Sequence, residues 1–256
     1  MRKGVKKRIA DDMHEHGLRN VSDYLLYLNS SPHAKRKAEE LLTVSISRFF
    51  RDLRLWDVIG GVLIPEMARK VEAGESGTVR AWSAGCARGE EAYSFKILWD
   101  RAEREAGKKL PLEMWGTDTN PEVLERARAG LYSRSSLRDA PPTVLRDYFT
   151  STPDGFSLRE EVKRGMHWAR HDFVSEDPPA SGFNIILLRN NLLTYYEQPL
   201  RTAAFSKIQA ALSDGGFLII GGNEWIPGDG FPLKPRPENR NFFEKIPGRD
   251  RGHAGD

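Results

Sequence analysis

The sequence predicts an α/β protein built on a mostly parallel, doubly wound sheet. From about residue 52 onward, short apolar segments alternate with amphipathic segments of helical period, and glycines stand at the ends of many of them. Such alternation favours strands joined by helical crossovers. The 256 residues suffice for one large domain with a small appendage. With 39% hydrophobic and 29% charged residues, the composition is that of a globular protein rather than a disordered one.

The first 46 residues predict short helices. Apolar residues recur at helical spacing until Gly17, which ends the first helix. Ser22 is placed to cap a second helix. The charged segment AKRKAEELL predicts a third. Residues 1–46 are therefore expected to form a small helical cap.

The remainder of the chain predicts helices and strands in turn. A helix over residues 51–74 is expected to break near Gly60, Gly61 and Pro65. There follow TVRAWSAG (strand), EEAYSFKILWDRAEREAG (helix), LEMWGTD (strand), NPEVLERARAGLY (helix), HWARHDF and FNIILLRNN (strands), PLRTAAFSKIQAALSDGG (helix), and FLIIGGNEW and ENRNFFEK (strands). Between residues 133 and 165 the alternation gives way to polar sequence containing Pro and Gly, which predicts an inserted β-excursion.

The segment WSAGCARGEEAYSF, residues 82–95, places a glycine-containing turn where a doubly wound sheet binds its ligand. Turns of this kind usually hold a pyrophosphate at the helix N-terminus. Glu90 and Glu91 already occupy that positive end and would repel a second anion. The turn therefore favours a ligand without phosphate that carries a cation, as S-adenosylmethionine does. The simpler interpretation, that both glutamates only favour the helix start, is equally compatible with the turn alone.

Asp118 ends the second predicted strand, where Rossmann-type folds place the acid that hydrogen-bonds ribose hydroxyls. It could instead cap the helix that begins near Pro121. The distance from the turn fits one helix and one return strand, which favours the ligand role. Together with the turn, Asp118 indicates an adenosine-containing cofactor without phosphate and disfavours a nicotinamide dehydrogenase.

Composition and charge argue against several other classes. A net charge of +3 gives no strong general attraction to nucleic acid or membrane. Cys86 is the single cysteine, so an internal disulfide is excluded and a reducing compartment is expected. The start lacks the apolar core of a signal peptide and no apolar run is long enough to span a bilayer, so we expect a cytoplasmic protein. His167 and His171 fall on a predicted strand, where their spacing does not build a helical metal pair, and no metal site is expected.

Five segments carry a family resemblance. They are, in chain order, LLTVSISRFFRD, WSAGCARGEEAYS, GTDTNPEVLERARAGLY, ILLRNNLLTYYE and LSDGGFLIIGGNEWIP. They resemble the bacterial chemotaxis-receptor (CheR-type) methyltransferases, which transfer a methyl group from S-adenosylmethionine to glutamate side chains of receptor proteins. The resemblance covers nearly the whole chain. It implies a Rossmann-like, doubly wound S-adenosylmethionine methyltransferase sheet over residues 47–256, a short N-terminal helical domain over residues 1–46, and a small β-subdomain inserted at about 133–165.

The resemblance also implies a set of site residues. Arg51 and Tyr195 would be catalytic, with Arg51 near the reaction centre and Tyr195 facing the methyl group. An extra residue in RNNLLTYYE leaves Tyr196 as the alternative, and Arg51 could instead form a structural ion pair with Asp52, Glu39 or Glu40. The residues implied to bind the cofactor are Ser45, Ser47, Arg51, Gly85, Glu90, Asp118, Asp172, Phe173, Arg189 and Asn190, with Glu91 as a second candidate beside Glu90.

The implied acceptor is an acidic, helical protein such as a chemoreceptor-like signalling protein. We expect the chain to act as a monomer, without binding nucleic acid and without inserting into a membrane. The basic side chains of the first helix could steer the acceptor or form only a solvated face; they are Arg2, Lys3, Lys6, Lys7 and Arg8. Two other functions stay open: the same fold methylating a different protein or small-molecule acceptor, and a non-catalytic module that binds S-adenosylmethionine or S-adenosylhomocysteine and signals through a partner.

Overall fold

The computed structural model describes residues 3–31, 34, 35, 38, 47–74 and 77–247, with side chains from residue 9 onward. The chain divides into two compact units, Met1–Ile46 and Ser47–Asp256. In the first unit, α1 spans Lys3–Glu15 and α2 spans Val21–Ser30. Asn20, rather than the predicted Ser22, caps α2 by accepting a hydrogen bond from the Asp23 N–H. Most of the predicted third helix and the basic side chains at residues 2–8 lie outside the described residues.

The second unit confirms the predicted α/β fold. Its elements are α3 Leu53–Val58, α4 Ile64–Glu72, β1 Val79–Ala84, α5 Glu90–Ala106, β2 Leu112–Asp118, α6 Pro121–Ala129, β3 Leu131–Tyr132, α7 Pro142–Tyr148, β4 Phe149–Thr152, β5 Gly155–Leu158, α8 Glu160–Lys163, β6 Met166–Arg170, β7 Phe183–Leu188, α9 Leu192–Tyr195, α10 Leu200–Ala210, β8 Leu212–Ile220, β9 Leu233–Arg236 and β10 Asn239–Lys245. Within the described part of the chain, every helix is too short or too polar to cross a bilayer.

The central sheet has the strand order β6-β2-β1-β7-β8-β10-β9. The five strands from β6 to β8 are parallel, whereas β10 runs antiparallel between β8 and β9. The chain moves outward from β1 through β2 to β6 and then returns to β7 on the other side of β1. This reversal opens a crevice at the carboxyl ends of β1 and β7, which is where open α/β sheets bind ligands.

Alternate residues of the central strands face two separate hydrophobic clusters. Ala81 and Ile185 lie in the cluster that contains much of α5, and Trp82 and Ile186 lie in the cluster that contains much of α10. Because side chains alternate across a strand, the two clusters cover opposite faces of the sheet. Burial on both faces explains why residues 185–188 of β7 are all apolar instead of alternating with polar residues.

A second, antiparallel sheet of three strands interrupts the main fold. Its order is β3-β5-β4, and α7 and α8 flank β4 and β5 in the chain. It occupies the segment in which the sequence analysis expects an inserted β-excursion. Its short strands begin directly after α6, because Gly130 adopts a left-handed φ of 67° and ends that helix.

The α-helix predicted over residues 51–74 is interrupted at its glycine pair, as expected, and a π-helical turn over Ile59–Leu63 joins α3 to α4. The buried side chains of Ile59, Leu63 and Ile64 hold this turn in the core. One boundary prediction was wrong. The helix predicted over PLRTAAFSKIQAALSDGG stops at Ala210, because Leu212 already pairs with Phe183 of β7. Strand β9 was not predicted.

Candidate functional site

The turn after β1 is fastened to the neighbouring strand. The N–H groups of Gly85 and Cys86 both donate to the carbonyl of Thr117, each at 2.8 Å. Gly85 has a φ of 77°, and a Cβ atom there would lie 1.8 Å from Nδ2 of Asn191. The turn therefore requires glycine at residue 85, since it meets the loop after β7 at this point.

Glu90, the first residue of α5, carries a buried carboxylate. Its side chain is 1% exposed and accepts a hydrogen bond from the Ser47 hydroxyl. Among the described residues, its Oε2 atom has no hydrogen-bond partner. Burial raises the pKa of Glu90, against the opposing effect of its hydrogen bonds. A buried carboxylate with one oxygen that lacks a partner among the described residues suits a ligand that supplies a cation or an N–H donor.

Asp118 lies at the end of β2, directly below the turn after β1. Its Oδ2 atom accepts from the Ala87 N–H at 2.9 Å, and its Oδ1 atom accepts from the Asn120 N–H at 3.1 Å. Asn120, not Asp118, caps α6 by accepting from the Glu122 N–H at 2.8 Å, so the capping interpretation of Asp118 was wrong. Burial raises the pKa of Asp118. Because a carboxylate offers about four acceptor positions, Asp118 can still accept hydrogen bonds from hydroxyl groups.

The loop after β6 brings Asp172 and Phe173 to the same edge of the sheet. The His171 N–H donates to the Asp118 carbonyl at 3.1 Å, which continues the pairing of β6 with β2. Asp172 accepts from the Val174 N–H at 2.9 Å and stays half-buried, whereas Phe173 is buried. The loop thus presents a carboxylate and an apolar ring side by side.

The two candidate tyrosines differ in their surroundings. The half-buried ring of Tyr196 packs edge-on against Phe173, with ring centres 6.5 Å apart. Burial raises the pKa of Tyr196, and the negative charges of Asp172 and Asp118 add to the effect. The side chain of Tyr195 is 53% exposed. Tyr196 is therefore grouped with the predicted cofactor residues, whereas Tyr195 is exposed.

Arg189, which follows β7, is 3% exposed and bound by two carboxylates. Its Nη1 donates to Oε2 of Glu91 at 2.8 Å, and its Nη2 donates to Oδ2 of Asp52 at 2.6 Å and to the Arg51 carbonyl at 3.4 Å. The other oxygen of Glu91 accepts from Ser83 at 2.9 Å. Glu91 thus has a protein partner at each of its two oxygens, unlike Glu90. A buried guanidinium needs such partners because an unpaired charge is costly to bury.

Arg51 follows two buried phenylalanines that fix its segment. Phe49 and Phe50 lie in the core, and the Phe50 N–H donates to the Ser94 hydroxyl at 3.0 Å. Arg51 itself is half-buried. The Asp52 carboxylate, considered as a partner for Arg51, is bound by Arg189. Ser45, Glu39 and Glu40 lie outside the described residues.

Glu224, which was not predicted from the sequence, joins the segments after β7 and β8. This carboxylate is 6% exposed and accepts from the N–H of Asn190 at 2.9 Å, the N–H of Gly221 at 2.7 Å and the hydroxyl of Thr194 at 2.5 Å. Asn190 has a left-handed φ of 56°, which these contacts help to hold. Glu224 stands three residues after the glycine that ends an apolar strand, and a carboxylate at such a strand end is the signal that points to it.

Taken together, the predicted residues cluster on adjacent loops at one edge of the sheet. Gly85 lies in the turn after β1, Glu90 begins α5 and Asp118 ends β2, while Asp172 and Asn190 lie on the loops after β6 and β7. Within this cluster, the orphaned Glu90 oxygen and the open acceptor positions of Asp118 fit the ammonium and ribose groups of S-adenosylmethionine.

Comparison with known proteins identifies the family. Residues 45–238 match the family model described as CheR methyltransferase, SAM binding domain. The chain is 32% identical over 186 residues to a chemotaxis protein methyltransferase of Listeria innocua, covering 73% of this chain and 67% of that protein. It is 31% identical over 223 residues to an uncharacterized 104.1 kDa protein in the hypE 3′ region of Rhodobacter capsulatus, covering 86% of this chain but 23% of that protein.

Among solved structures, a TehB-like SAM-dependent methyltransferase from Corynebacterium glutamicum aligns with 88% of this chain and 97% of that chain, at 14% identity and a TM-score of 0.41. The match to the family model covers most of the second compact unit. The chain belongs to the CheR methyltransferase family and contains its S-adenosylmethionine-binding domain.

Proposed function

We propose that this protein transfers a methyl group from S-adenosylmethionine to the side-chain carboxylate of a protein glutamate. The observation that carries the proposal is Glu90, a buried carboxylate with one oxygen left without a partner among the described residues. It stands where a phosphate-binding turn would have open N–H groups, so the site selects a cationic ligand over a phosphorylated one. When bound, the cofactor supplies a methyl group activated by its positive sulfur.

The residues proposed to hold the cofactor have distinct tasks. Glu90 accepts from the ammonium group, and Asp118 accepts from the ribose hydroxyls. Phe173 offers an apolar face beside the adenine, and Asp172 an acceptor for its donors. Ser45, Ser47, Gly85, Arg189 and Asn190 complete the proposed set, with Arg189 contributing through its backbone, since its guanidinium is bound by Asp52 and Glu91.

The proposed acceptor needs no general base. A glutamate side chain has a reference pKa of about 4.3, so it is ionised at neutral pH and can attack directly. The task of the protein is then to align the two reacting groups, which is worth several orders of magnitude in rate. We assign the positioning of the acceptor carboxylate to Arg51, whose backbone Arg189 holds through the Arg51 carbonyl. Tyr195 or Tyr196 orients the groups from the opposite loop.

The acceptor is proposed to be an acidic, helical segment of a chemoreceptor-like protein, methylated in the cytoplasm by a monomer. The name of the Listeria innocua relative, a chemotaxis protein methyltransferase, supports this acceptor class. The basic residues of the first helix support it as well, because they would attract such a segment.

A labelled-methyl assay tests the proposal. The protein is incubated with S-adenosylmethionine carrying a tritiated methyl group and the purified helical cytoplasmic domain of a host chemoreceptor. We expect label in the receptor domain that is released by mild base, as a carboxyl ester is. Arg51→Ala should lower kcat about 100-fold, whereas Arg54→Ala, an exposed arginine three residues away, should not.

Other outcomes would redirect the proposal. Base-stable label, or label in a small molecule of a host extract, would mean a different acceptor. Tight binding of S-adenosylhomocysteine without any transfer would mean a non-catalytic binding module. Loss of folding in Arg51→Ala, with cofactor affinity falling in step, would assign Arg51 to the structure rather than to the reaction.

A further inference from the structure

Trp225 is an exposed aromatic residue on the segment that follows β8. Its side chain is 74% exposed, the highest value among the large hydrophobic residues of the described chain. It is held in place on one side, since the Arg240 guanidinium lies 5.9 Å from the centre of its ring. Arg240 is fixed in turn by a 2.8 Å hydrogen bond from its Nη2 to the Gly222 carbonyl. A fixed indole that faces solvent is typical of a binding surface rather than of packing.

The same two side chains border a cleft of about 330 Å³ at the ends of β8 and β10. Its apolar wall includes Ile226 and Phe243, and its charged rim includes Arg240 and Asp229. Among the described residues, Arg240 makes one hydrogen bond, so most of its five N–H donors are available to a carboxylate. The cleft thus combines an aromatic face, an apolar wall and a guanidinium.

Glu224, which also lines this cleft, is hydrogen-bonded to the segment that leads to the candidate tyrosines. Trp225 directly follows Glu224, whose carboxylate binds the Asn190 N–H and the Thr194 hydroxyl. Thr194 directly precedes Tyr195, which is itself 53% exposed. Glu224 therefore connects the segment that carries Trp225 to the segment that leads to the candidate tyrosines.

We propose that Trp225 and Arg240 form a docking surface for the acceptor polypeptide, binding the residues that flank the methylated glutamate. This inference rests on the proposed function and adds the means of acceptor recognition. Trp225 covers an apolar side chain of the acceptor, and Arg240 pairs with a second carboxylate near the reacting one. Asp229 lines the same cleft, so the fitting segment places a neutral or basic side chain opposite it.

The test measures acceptor binding separately from turnover. The probe is the purified helical cytoplasmic domain of a host chemoreceptor. Its KM is measured with S-adenosylmethionine saturating, and its Kd is measured by fluorescence anisotropy on enzyme loaded with S-adenosylhomocysteine. Trp225→Ala should raise both KM and Kd about tenfold or more, and Arg240→Gln about threefold to tenfold. Neither change should alter kcat or the affinity for S-adenosylhomocysteine.

Two matched control residues do not line the cleft. Ile246→Ala removes an exposed apolar side chain after the end of β10, and Arg104→Gln removes an arginine that also stacks over an aromatic ring, that of Tyr148. Both should leave the acceptor KM and Kd unchanged. If they raise these constants as much as Trp225→Ala does, the docking surface is wrong.

Three further results separate this inference from the proposed function. An unchanged acceptor KM and Kd in Trp225→Ala, with an active wild type, would overturn the docking surface alone. Acceptor binding that Trp225→Ala weakens, without any methyl transfer by the wild type, would support the surface and overturn the enzymatic proposal. Loss of binding to phosphatidylcholine and phosphatidylglycerol vesicles, with acceptor constants unchanged, would assign Trp225 to a membrane surface and overturn acceptor docking.

Discussion

Replacing Glu90 with glutamine tests whether its carboxylate binds the cofactor or only stabilises the structure. Glutamine keeps the size of the side chain and an oxygen for the Ser47 hydroxyl, but it removes the charge from a site that is 1% exposed. If Oε2 is the acceptor for the cofactor ammonium, the loss equals a charged hydrogen bond, about 1.5–3 kcal/mol. The Kd for S-adenosylhomocysteine should then rise about 10-fold to 150-fold.

The same substitution should stabilise the free protein. The raised pKa of Glu90 means that burial penalises its ionised form, so the penalty is present at neutral pH and disappears below the ordinary pKa of a glutamate. Removing a poorly satisfied charge should raise the free energy of unfolding by about 1–2 kcal/mol. Each kcal/mol corresponds to a Tm increase of about 2–4 °C for a domain of this size.

The neighbouring glutamate gives a control of opposite sign. Glu91→Gln weakens the ion pair with Arg189, whose side chain is 3% exposed, and should lower the Tm because it leaves a buried guanidinium short of a partner. Calorimetric titration with S-adenosylhomocysteine and thermal unfolding without ligand give both quantities. A lower Tm in Glu90→Gln with an unchanged Kd would refute the reasoning and make Glu90 a structural residue.

Four further predictions concern the same site. Asp118→Ala should weaken S-adenosylhomocysteine binding by about 1–3 kcal/mol, measured by calorimetry; wild-type binding of NAD but not of S-adenosylhomocysteine would contradict it. Because burial raises the pKa of Glu90 and Asp118 and their ionised forms bind the cofactor, affinity should fall on acidification from a pH above the ordinary carboxylate range; a titration series with a flat profile would be the contrary result. Of Tyr195→Phe and Tyr196→Phe, the variant with the larger loss of kcat identifies the tyrosine that faces the methyl group, and equal activity in both would remove the role. Glu224→Ala should lower kcat about 100-fold with a smaller change in cofactor affinity, and partial recovery in Glu224→Gln would separate positioning from general damage to the fold.

The sequence by itself determined the order of elements and the class of ligand. The spacing of apolar residues and the positions of the glycines located β1, α5 and β2. Side chains alternate across a strand and recur on one face of a helix, so burial of one face gives the sequence a matching period. The adjacent carboxylates of Glu90 and Glu91 argued against a phosphate-containing ligand, because acidic residues in the first turn of a helix repel a second anion at its N-terminus. The resemblance of five ordered segments to the CheR family carried the remaining site assignments.

Only the tertiary structure decided how those acids divide their tasks. Glu90 and Glu91 are adjacent in sequence, yet one keeps a buried oxygen without a hydrogen-bond partner among the described residues, and the other is bound by Arg189, 98 residues further along the chain. The π-helical turn before Pro65 likewise depends on side chains buried against distant strands. Glu224 gained its role from two loops that meet only in the folded sheet. The local sequence determines the conformational preference of each segment and the spacing of its apolar residues. The partner of a buried charge depends instead on which strand ends the folded topology brings together.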